Sequence, residues 1–483
     1  MGGKRLNDMV VLLPGITGSV LQKDGKDVWA ISGQAAWGWL RSLGDSLQEL
    51  ALGGDDPGGI VAARVMPDAH VVPGLVKIDG YSATAKMVTE TFDIVRGSIW
   101  DARPANFIEF PYDWRLDNRT NAQRLAELVS DRLPRWRKHT GNGDAGVIFL
   151  AHSMGGLVVR YFVEVLGGWR DCRALITFGT PYRGSLNALN FLANGYKRLF
   201  TDLSEVMRSF PSMYQLLPIY RALRIGEDYV RVAEAASVPG IDRARSEDAL
   251  AFHREIEAKV DEHRKDPDYL DKGYVIVPVV GTRQPTLQSA VLAGGRVTAG
   301  AELPSWIDPL LTDGDGTVPR ASAIPIELSD AYRDSFVPER HGSLQCNRSV
   351  LDDVRGRLEQ MQVRGLRAVR GPEESPAAAE RPAIALDLDD LYVAGEPVTL
   401  RAGLVNAQGA PGPLRARIEP VAVSSAGATV AAAALEFTEG PDGWTLAPEE
   451  LPPGLYRVEV RTAKAGPLAP PPVHDLFEVV ETA

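Results

Sequence analysis

The sequence predicts an α/β core with a helical cap, followed by an all-β sandwich, and three observations carry that prediction. An apolar run, Val147-Ile148-Phe149-Leu150, breaks at Ala151-His152-Ser153-Met154-Gly155 and resumes at Leu157, Val158 and Tyr161, the pattern of a buried parallel strand turning sharply into a helix. Other short apolar runs, at Met9–Leu13, Phe107–Phe110 and Leu175–Phe178, surround stretches with helical spacing, as in sheets whose strands are joined by crossover helices. Beyond residue 383 alternation takes over, at Ile384, Leu386 and Leu388, at Val398, Leu400, Ala402 and Leu404, and at Tyr456, Val458 and Val460. That period of two belongs to half-buried strands.

A chain of 483 residues exceeds what one core usually supports, so two domains are expected. The first spans 1–364, with insertions at about 23–60 and 186–272; a linker rich in Gly, Pro and Ala covers 365–382; the second spans 383–483. About six or seven strands in about 100 residues imply an immunoglobulin-like sandwich there, although no Cys-Trp-Cys pattern is present. A net charge of -11 argues against nucleic acid as a partner. Cys172 and Cys346 are the only cysteines, which excludes a disulfide framework and fits a reducing compartment. The apolar run Met9–Leu13 is too short for a signal core or a membrane span, and a cytoplasmic protein without a transmembrane segment is expected.

In chain order, Met9–Leu13 reads as the first central strand, ended by Pro14-Gly15-Ile16-Thr17-Gly18-Ser19. A glycine turn after a strand lets backbone N–H groups approach a ligand closely. Trp29, Trp37 and Trp39 then line an acyl pocket or flap, or serve equally well as buried packing anchors. A helix is expected around Thr84–Val95, a strand at Phe107–Phe110 and a turn in which Asp113 and Arg115 pair. Leu125, Leu128, Val129 and Leu133 predict a crossover helix over Asn121–Trp136. After the strand Leu175–Phe178, the turn from Gly179 to Ser185, including Tyr182, shapes a pocket at the sheet's carboxyl end.

Leu189–Asp271 shows no central-strand pattern and reads as a helical cap, with Met213 and Tyr214 covering an apolar site or filling the cap's own core. His253, His263 and His474 are expected to be solvated surface residues. Tyr274–Val280 returns to strand character, and Pro278 suggests an edge or the end of regular pairing. A final amphipathic helix is expected at Val350–Met361.

Three residues then fall into one scheme. Ser153 sits where a strand turns into a helix, between the small residues Ala151 and Gly155, as at the nucleophile elbow of an α/β-hydrolase. Asp315 lies in Asp313-Gly314-Asp315-Gly316 and His341 precedes the last helix, which completes the order serine, acid, histidine. His341 would take the serine proton, Asp315 would fix the imidazole, and the backbone N–H groups of Ile16 and Met154 would receive an oxyanion. Asp313 is the rival acid. His152 is the rival histidine, but strand alternation turns it away from Ser153 and makes it pocket lining or a supporting hydrogen-bond residue. No cofactor is called for, and no metal-ligand set is established.

The stretches VVLLPGITGS from Val10, FPYDWRLD from Phe110, AHSMGGLVVRYF from Ala151, FGTPYRGS from Phe178, PSMYQLLP from Pro211 and DGDGTVP from Asp313 resemble the lecithin:cholesterol acyltransferase and lysosomal phospholipase A2 family. The resemblance implies an α/β-hydrolase core with Ser153, Asp315 and His341 as nucleophile, acid and base, and Ile16 and Met154 at the oxyanion positions. It implies a serine esterase or lipase acting on a lipid or other hydrophobic acyl ester; the flap reading of the tryptophan cluster would add transient contact with a membrane surface. An acyltransferase using the same acyl-enzyme is the alternative within the family. A silent hydrolase-fold protein that binds a protein partner through its sandwich is the alternative outside it. The Trp29–Trp39 segment is similar to the family's lid region but lacks the cysteines that staple that loop in secreted members.

Overall fold

A computed structural model of the chain describes residues 3–30, 49–54, 57–67, 69–72, 76–195, 197–198, 201–328, 335–364, 382–407, 413–421, 434–441, 443–448, 451–463 and 469–481. Trp37, Trp39 and nearly all of the expected linker lie outside them. Seven strands form the central sheet: β1 (Met9–Leu13), β2 (Arg96–Gly97), β3 (Phe107–Glu109), β4 (Val147–His152), β5 (Cys172–Phe178), β6 (Val275–Gly281) and β7 (Phe336–Val337). Their order is β7-β6-β5-β4-β1-β3-β2, and every neighbouring pair is parallel. Both faces are covered, which is why β1 throughout and β4 up to Ala151 are apolar and buried rather than alternating. From β1 the chain leaves towards β3 and β2, whereas β4 starts the opposite wing. The loops after β1 and β4 therefore border the point of reversal, where open α/β sheets bind ligands.

The helices follow from capping and periodicity. Helix α1 (Ser82–Thr91) stops earlier than its periodicity predicts, because Phe92 and Asp93 instead pair with Lys4 and Arg5. Helix α2 (Asn118–Thr140) begins at Asp117, whose side chain accepts the Arg119 N–H, and ends at Gly141 in the left-handed region. It buries Leu125, Leu128, Val129 and Leu133, the expected face. Helix α3 (Gly155–Arg160) follows β4 directly and widens into a π-helical turn over Tyr161–Val165. The predicted edge character of Pro278 is corrected, since β6 lies between β5 and β7. However, β7 pairs only with Val280 and Gly281, so Pro278 stands where pairing on that side has not begun.

The expectation of a purely helical cap is also corrected. Leu223–Ile225 and Asp228–Val230 join Ser289–Ala293 and Arg296–Gly300 in a separate four-stranded sheet. Helix α4 (Arg243–His263) packs across the cap, and two of its histidines are not solvated as expected. His253 is buried, its Nε2 lies 2.8 Å from the Gln215 carbonyl oxygen, and burial pushes its pKa down to about 4. His263 Nδ1 lies 2.8 Å from Glu164, which Tyr269 and Tyr274 also reach with hydroxyl hydrogen bonds. Helix α5 (Arg348–Arg364) closes the α/β region. No described helix is long and apolar enough to cross a membrane.

Residues from 383 onward form two facing sheets around their own core, which contains Leu386, Leu400, Val458, Val460 and Phe477. The strands are β8 (Ala383–Asp387), β9 (Leu391–Val393), β10 (Leu400–Val405), β11 (Leu414–Pro420), β12 (Ala434–Glu436), β13 (Thr438–Gly440), β14 (Gly443–Leu446), β15 (Gly454–Thr462) and β16 (Val473–Val480). One sheet runs β8-β10-β14-β13 and the other β9-β16-β15-β11-β12. Strands β9, β13 and β14 carry too few residues to show a period and are additions to the sequence reading.

Candidate active site

The turn after β4 places Ser153 at φ 51°, in the left-handed region. A non-glycine residue there costs on the order of 1–3 kcal/mol, a cost borne where surrounding contacts fix the backbone. Those contacts are visible: the Ser153 N–H donates to Phe178 at 2.9 Å, and Thr180 Oγ1 donates to the Ser153 carbonyl oxygen at 2.8 Å. A Cβ at Gly155 would lie 2.4 Å from the Pro14 carbonyl oxygen, so the helix can start this close to the β1 loop only without a side chain.

The elbow brings Ser153 Oγ to 2.9 Å from His341 Nε2, and His341 Nδ1 to 2.7 Å from Asp315 Oδ2. All three residues are buried, at 6%, 4% and 1% exposure. Asp315 Oδ1 accepts the backbone N–H groups of Thr317 at 2.9 Å and Val318 at 2.7 Å, and the His341 N–H donates to the Asp315 carbonyl oxygen at 2.8 Å. The carboxylate is thereby pinned on both oxygens, and the imidazole on both its ring and its main chain. Gly179, after β5, makes room for the pair: a Cβ there would come within 2.8 Å of both Asp315 Oδ2 and His341 Nδ1. The geometry can accept a proton from Ser153 and hold the resulting imidazolium against a carboxylate.

Ile16 lies in the loop after β1, and Met154 directly follows Ser153 in the turn after β4. Met154 caps α3, so its N–H belongs to the set of donors a helix start leaves open. Asp313, the rival acid, faces Arg283 at 3.7 Å.

His152 is fully buried, and its ring lies 4.9 Å from the ring of His341. Its Nε2 lies 3.1 Å from the His341 carbonyl oxygen, and its Nδ1 lies 2.9 Å from Tyr81 Oη. A carbonyl can only accept, so Nε2 carries the proton, and in the neutral ring Nδ1 accepts from the Tyr81 hydroxyl. Tyr81 Oη in turn accepts the Gly15 N–H at 2.8 Å. One directed chain thus runs from the loop beside Ile16, through Tyr81 and His152, to the backbone of His341. Tyr81 escaped the sequence reading because nothing local marks it: it is one tyrosine ahead of a helix, and its partners are 66 and 71 positions away.

The pocket candidates are mostly packing residues. Trp29 is buried, donates to the Thr17 carbonyl oxygen at 3.0 Å and packs edge-on against Trp114 at 5.0 Å, as a packing anchor beneath the β1 loop rather than a flap. Met213 and Tyr214 belong to the main core. The Tyr182 hydroxyl hydrogen-bonds Thr177 at 2.8 Å, and its ring borders a cavity of about 30 Å³ shared with Leu157 and Ile219 but not with Ser153. Asp113 and Arg115 pair as expected, at 2.7 Å and fully buried. Both cysteines are free thiols, and burial pushes the Cys346 thiol up.

Residues 78–262 match the family model described as lecithin:cholesterol acyltransferase. That stretch contains Tyr81, His152, Ser153 and Met154, whereas Ile16, Asp315 and His341 lie outside it. A search of curated proteins found no match. Among solved structures, the lipase BlEst2 of Bacillus licheniformis in its propeptide form is similar at 11% identity, with 99% of this chain and 95% of that chain covered and a TM-score of 0.37.

Proposed function

We propose that the chain is a serine-dependent lipid acyl-ester hydrolase whose first half-reaction builds an acyl-enzyme on Ser153. The observation that carries this reading is the hydrogen-bonded line from Ser153 Oγ through the His341 ring to Asp315, starting from a serine held at a left-handed elbow. Ser153 attacks the ester carbonyl carbon while His341 Nε2 takes its proton. The N–H groups of Ile16 and Met154 receive the oxyanion, and the imidazolium returns the proton to the leaving alcohol. Water, activated by the same nitrogen, then releases the acid. The match of residues 78–262 to an acyltransferase family supports a second reading in which an alcohol takes the acyl group from the same intermediate.

The C-terminal unit reads as an immunoglobulin-like domain covering 383–483, joined by a linker at 365–382 to a catalytic domain at 1–364. Its strand orders support this. If β8, β10, β14 and β13 are strands A, B, E and D, and β11, β15 and β16 are C, F and G, both sheets have the immunoglobulin order. Strand β9 runs parallel to β16, as a strand crossing from the first sheet to the second would.

Intact-mass analysis after brief exposure to p-nitrophenyl acyl esters and phospholipids tests the nucleophile. An acyl adduct is expected in the wild type and not in Ser153→Ala. An adduct that persists in the folded variant, or none in the wild type with any ester, would overturn the assignment. Added alcohol separates the two readings, since only a transferase diverts the acyl group into a new ester.

A further inference from the structure

The loops that carry His341 and Asp315 take many of their side-chain attachments from the C-terminal sandwich. Glu339, two residues before His341, is fully buried. Its carboxylate accepts the backbone N–H of His474 at 2.9 Å, the Arg340 N–H at 2.9 Å and the Asn347 amide at 2.9 Å, with His474 Nδ1 also at 2.9 Å. Arg340, the residue directly before His341, pairs with Asp475 at 3.0 Å and donates to the Leu386 carbonyl oxygen at 2.7 Å. Lys77 holds the same Asp475 at 2.9 Å and Asp390 at 2.8 Å. A Cβ on Gly342 would collide with the Lys77 carbonyl oxygen, so the backbone after His341 lies against this anchor as well.

The acid loop is attached in the same way. Gln284 donates from its backbone to Gly314 at 3.0 Å, while its side-chain amide donates to Ile384 at 3.0 Å and accepts from the Leu386 N–H at 3.1 Å. Its carbonyl oxygen receives Thr286 Oγ1, which accepts the Gly316 N–H at 2.9 Å. Strands β8 and β16 therefore grip both loops, and an apolar contact of Leu455 and Leu476 with Ala69 and Val71 seats the sandwich beside them. Removing one partner of a buried ion pair such as Arg340–Asp475 is strongly destabilising.

We infer that the sandwich is a positioning element of the catalytic centre, in which His474 and Asp475 set the place of His341, and Ile384 and Leu386, through Gln284, set that of Asp315. The inference rests on the serine-enzyme reading and deepens it. None of these residues touches substrate; each acts through the loop it holds. The expected defect is therefore in the chemical step and not in binding, because misplacement of a reacting group by about 1 Å can cost roughly a hundred-fold in rate.

The test uses the full-length chain and the rate at which an organophosphonate labels Ser153, counted per folded molecule. In Asp475→Asn and His474→Gln, the limiting labelling rate is expected to fall roughly ten- to hundred-fold with the half-saturating concentration unchanged. Asp475→Glu is expected to recover part of the loss. Leu446→Ala weakens the sandwich core on β14, a strand that pairs with neither β8 nor β16, and should lower stability while leaving the labelling rate of folded molecules as it was. His474 is partly exposed, at 26%, so His474→Gln keeps the test decisive if Asp475→Asn does not fold. Wild-type rates in both folded variants would overturn the inference alone. Failure of the wild type to label would overturn the serine-enzyme reading, and the inference with it.

Discussion

Ser153 becomes a nucleophile candidate through its neighbours rather than by its own chemistry. Its backbone is held in the left-handed region by Phe178 and Thr180, and its hydroxyl faces an imidazole whose other nitrogen is held by Asp315. The line from Gly15 through Tyr81 and His152 to His341 adds a further restraint, since it couples the loop carrying Ile16 to the backbone of His341. Tyr81→Phe removes the hydroxyl, leaving Nδ1 of His152 and the Gly15 N–H without that partner. Leaving a buried donor or acceptor unmade costs about 1–3 kcal/mol. The variant is expected to fold with reduced stability and to lose roughly ten-fold or more in kcat, because both the loop carrying Ile16 and His341 lose a tether. Measured kcat and KM for a p-nitrophenyl ester decide the matter: an unchanged kcat would mean that the line is packing alone.

At the scale of elements, legibility followed locality. The elbow is complete within one strand, one turn and one helix start, so apolar spacing and small residues around Ser153 were enough to place it. Asp315 and His341 could be chosen by chain order, because a late acid loop and a histidine ahead of the last helix leave few rivals. His253 and His263 were misread for the opposite reason: each is defined by a distant partner, namely Gln215 and Glu164, while His474 is partly exposed but owes its place to Glu339, equally distant in the chain. The cap strands Leu223–Ile225 and Asp228–Val230 are three residues each and gain their identity only by pairing with one another and, through Leu223–Ile225, with Ser289–Ala293. The turn after β3 was partly legible, as the pairing of Asp113 with Arg115 was expected. Its reach was not, because Arg115 also donates to the carbonyl oxygens of Leu50 at 3.0 Å and Pro57 at 3.1 Å. Arg115→Met would strand a buried carboxylate and free those carbonyls, at a cost of about 3–5 kcal/mol. Urea unfolding should show that loss, and a change below about 1 kcal/mol would mean that the pair contributes little net stability.

At the scale of the molecule, the α/β region and the sandwich have separate cores but share a charged seam, so the behaviour of the sandwich with pH bears on the whole chain. Glu478 lies on β16, in the same strand as His474 and Asp475, and is 3% exposed. Burial alone pushes its carboxyl up from 4.5 to about 7. The fold therefore accommodates the protonated acid better than the carboxylate. The associated stabilisation is fully present below 4.5 and is lost as the pH rises through about 7, an effect of up to about 3 kcal/mol between those limits. Seam residues titrate as well: His474 is disfavoured as a cation by burial, but Glu339, Glu459 and Asp79 outweigh that and raise its pKa. Its contribution is likewise present at low pH and lost as the pH rises through its raised value. Glu478→Gln separates the two effects, because the amide cannot ionise and the seam is untouched. The variant is expected to be more stable than the wild type at pH 8 and to lose that advantage as the pH is lowered towards 5, as read by urea unfolding of the full chain at each pH. An advantage that does not change with pH would show that Glu478 does not titrate in this range. If the sandwich also positions His341, the variant should retain serine labelling at pH 8 to a higher urea concentration than the wild type, which ties a buried acid on its outer domain to the reactivity of Ser153.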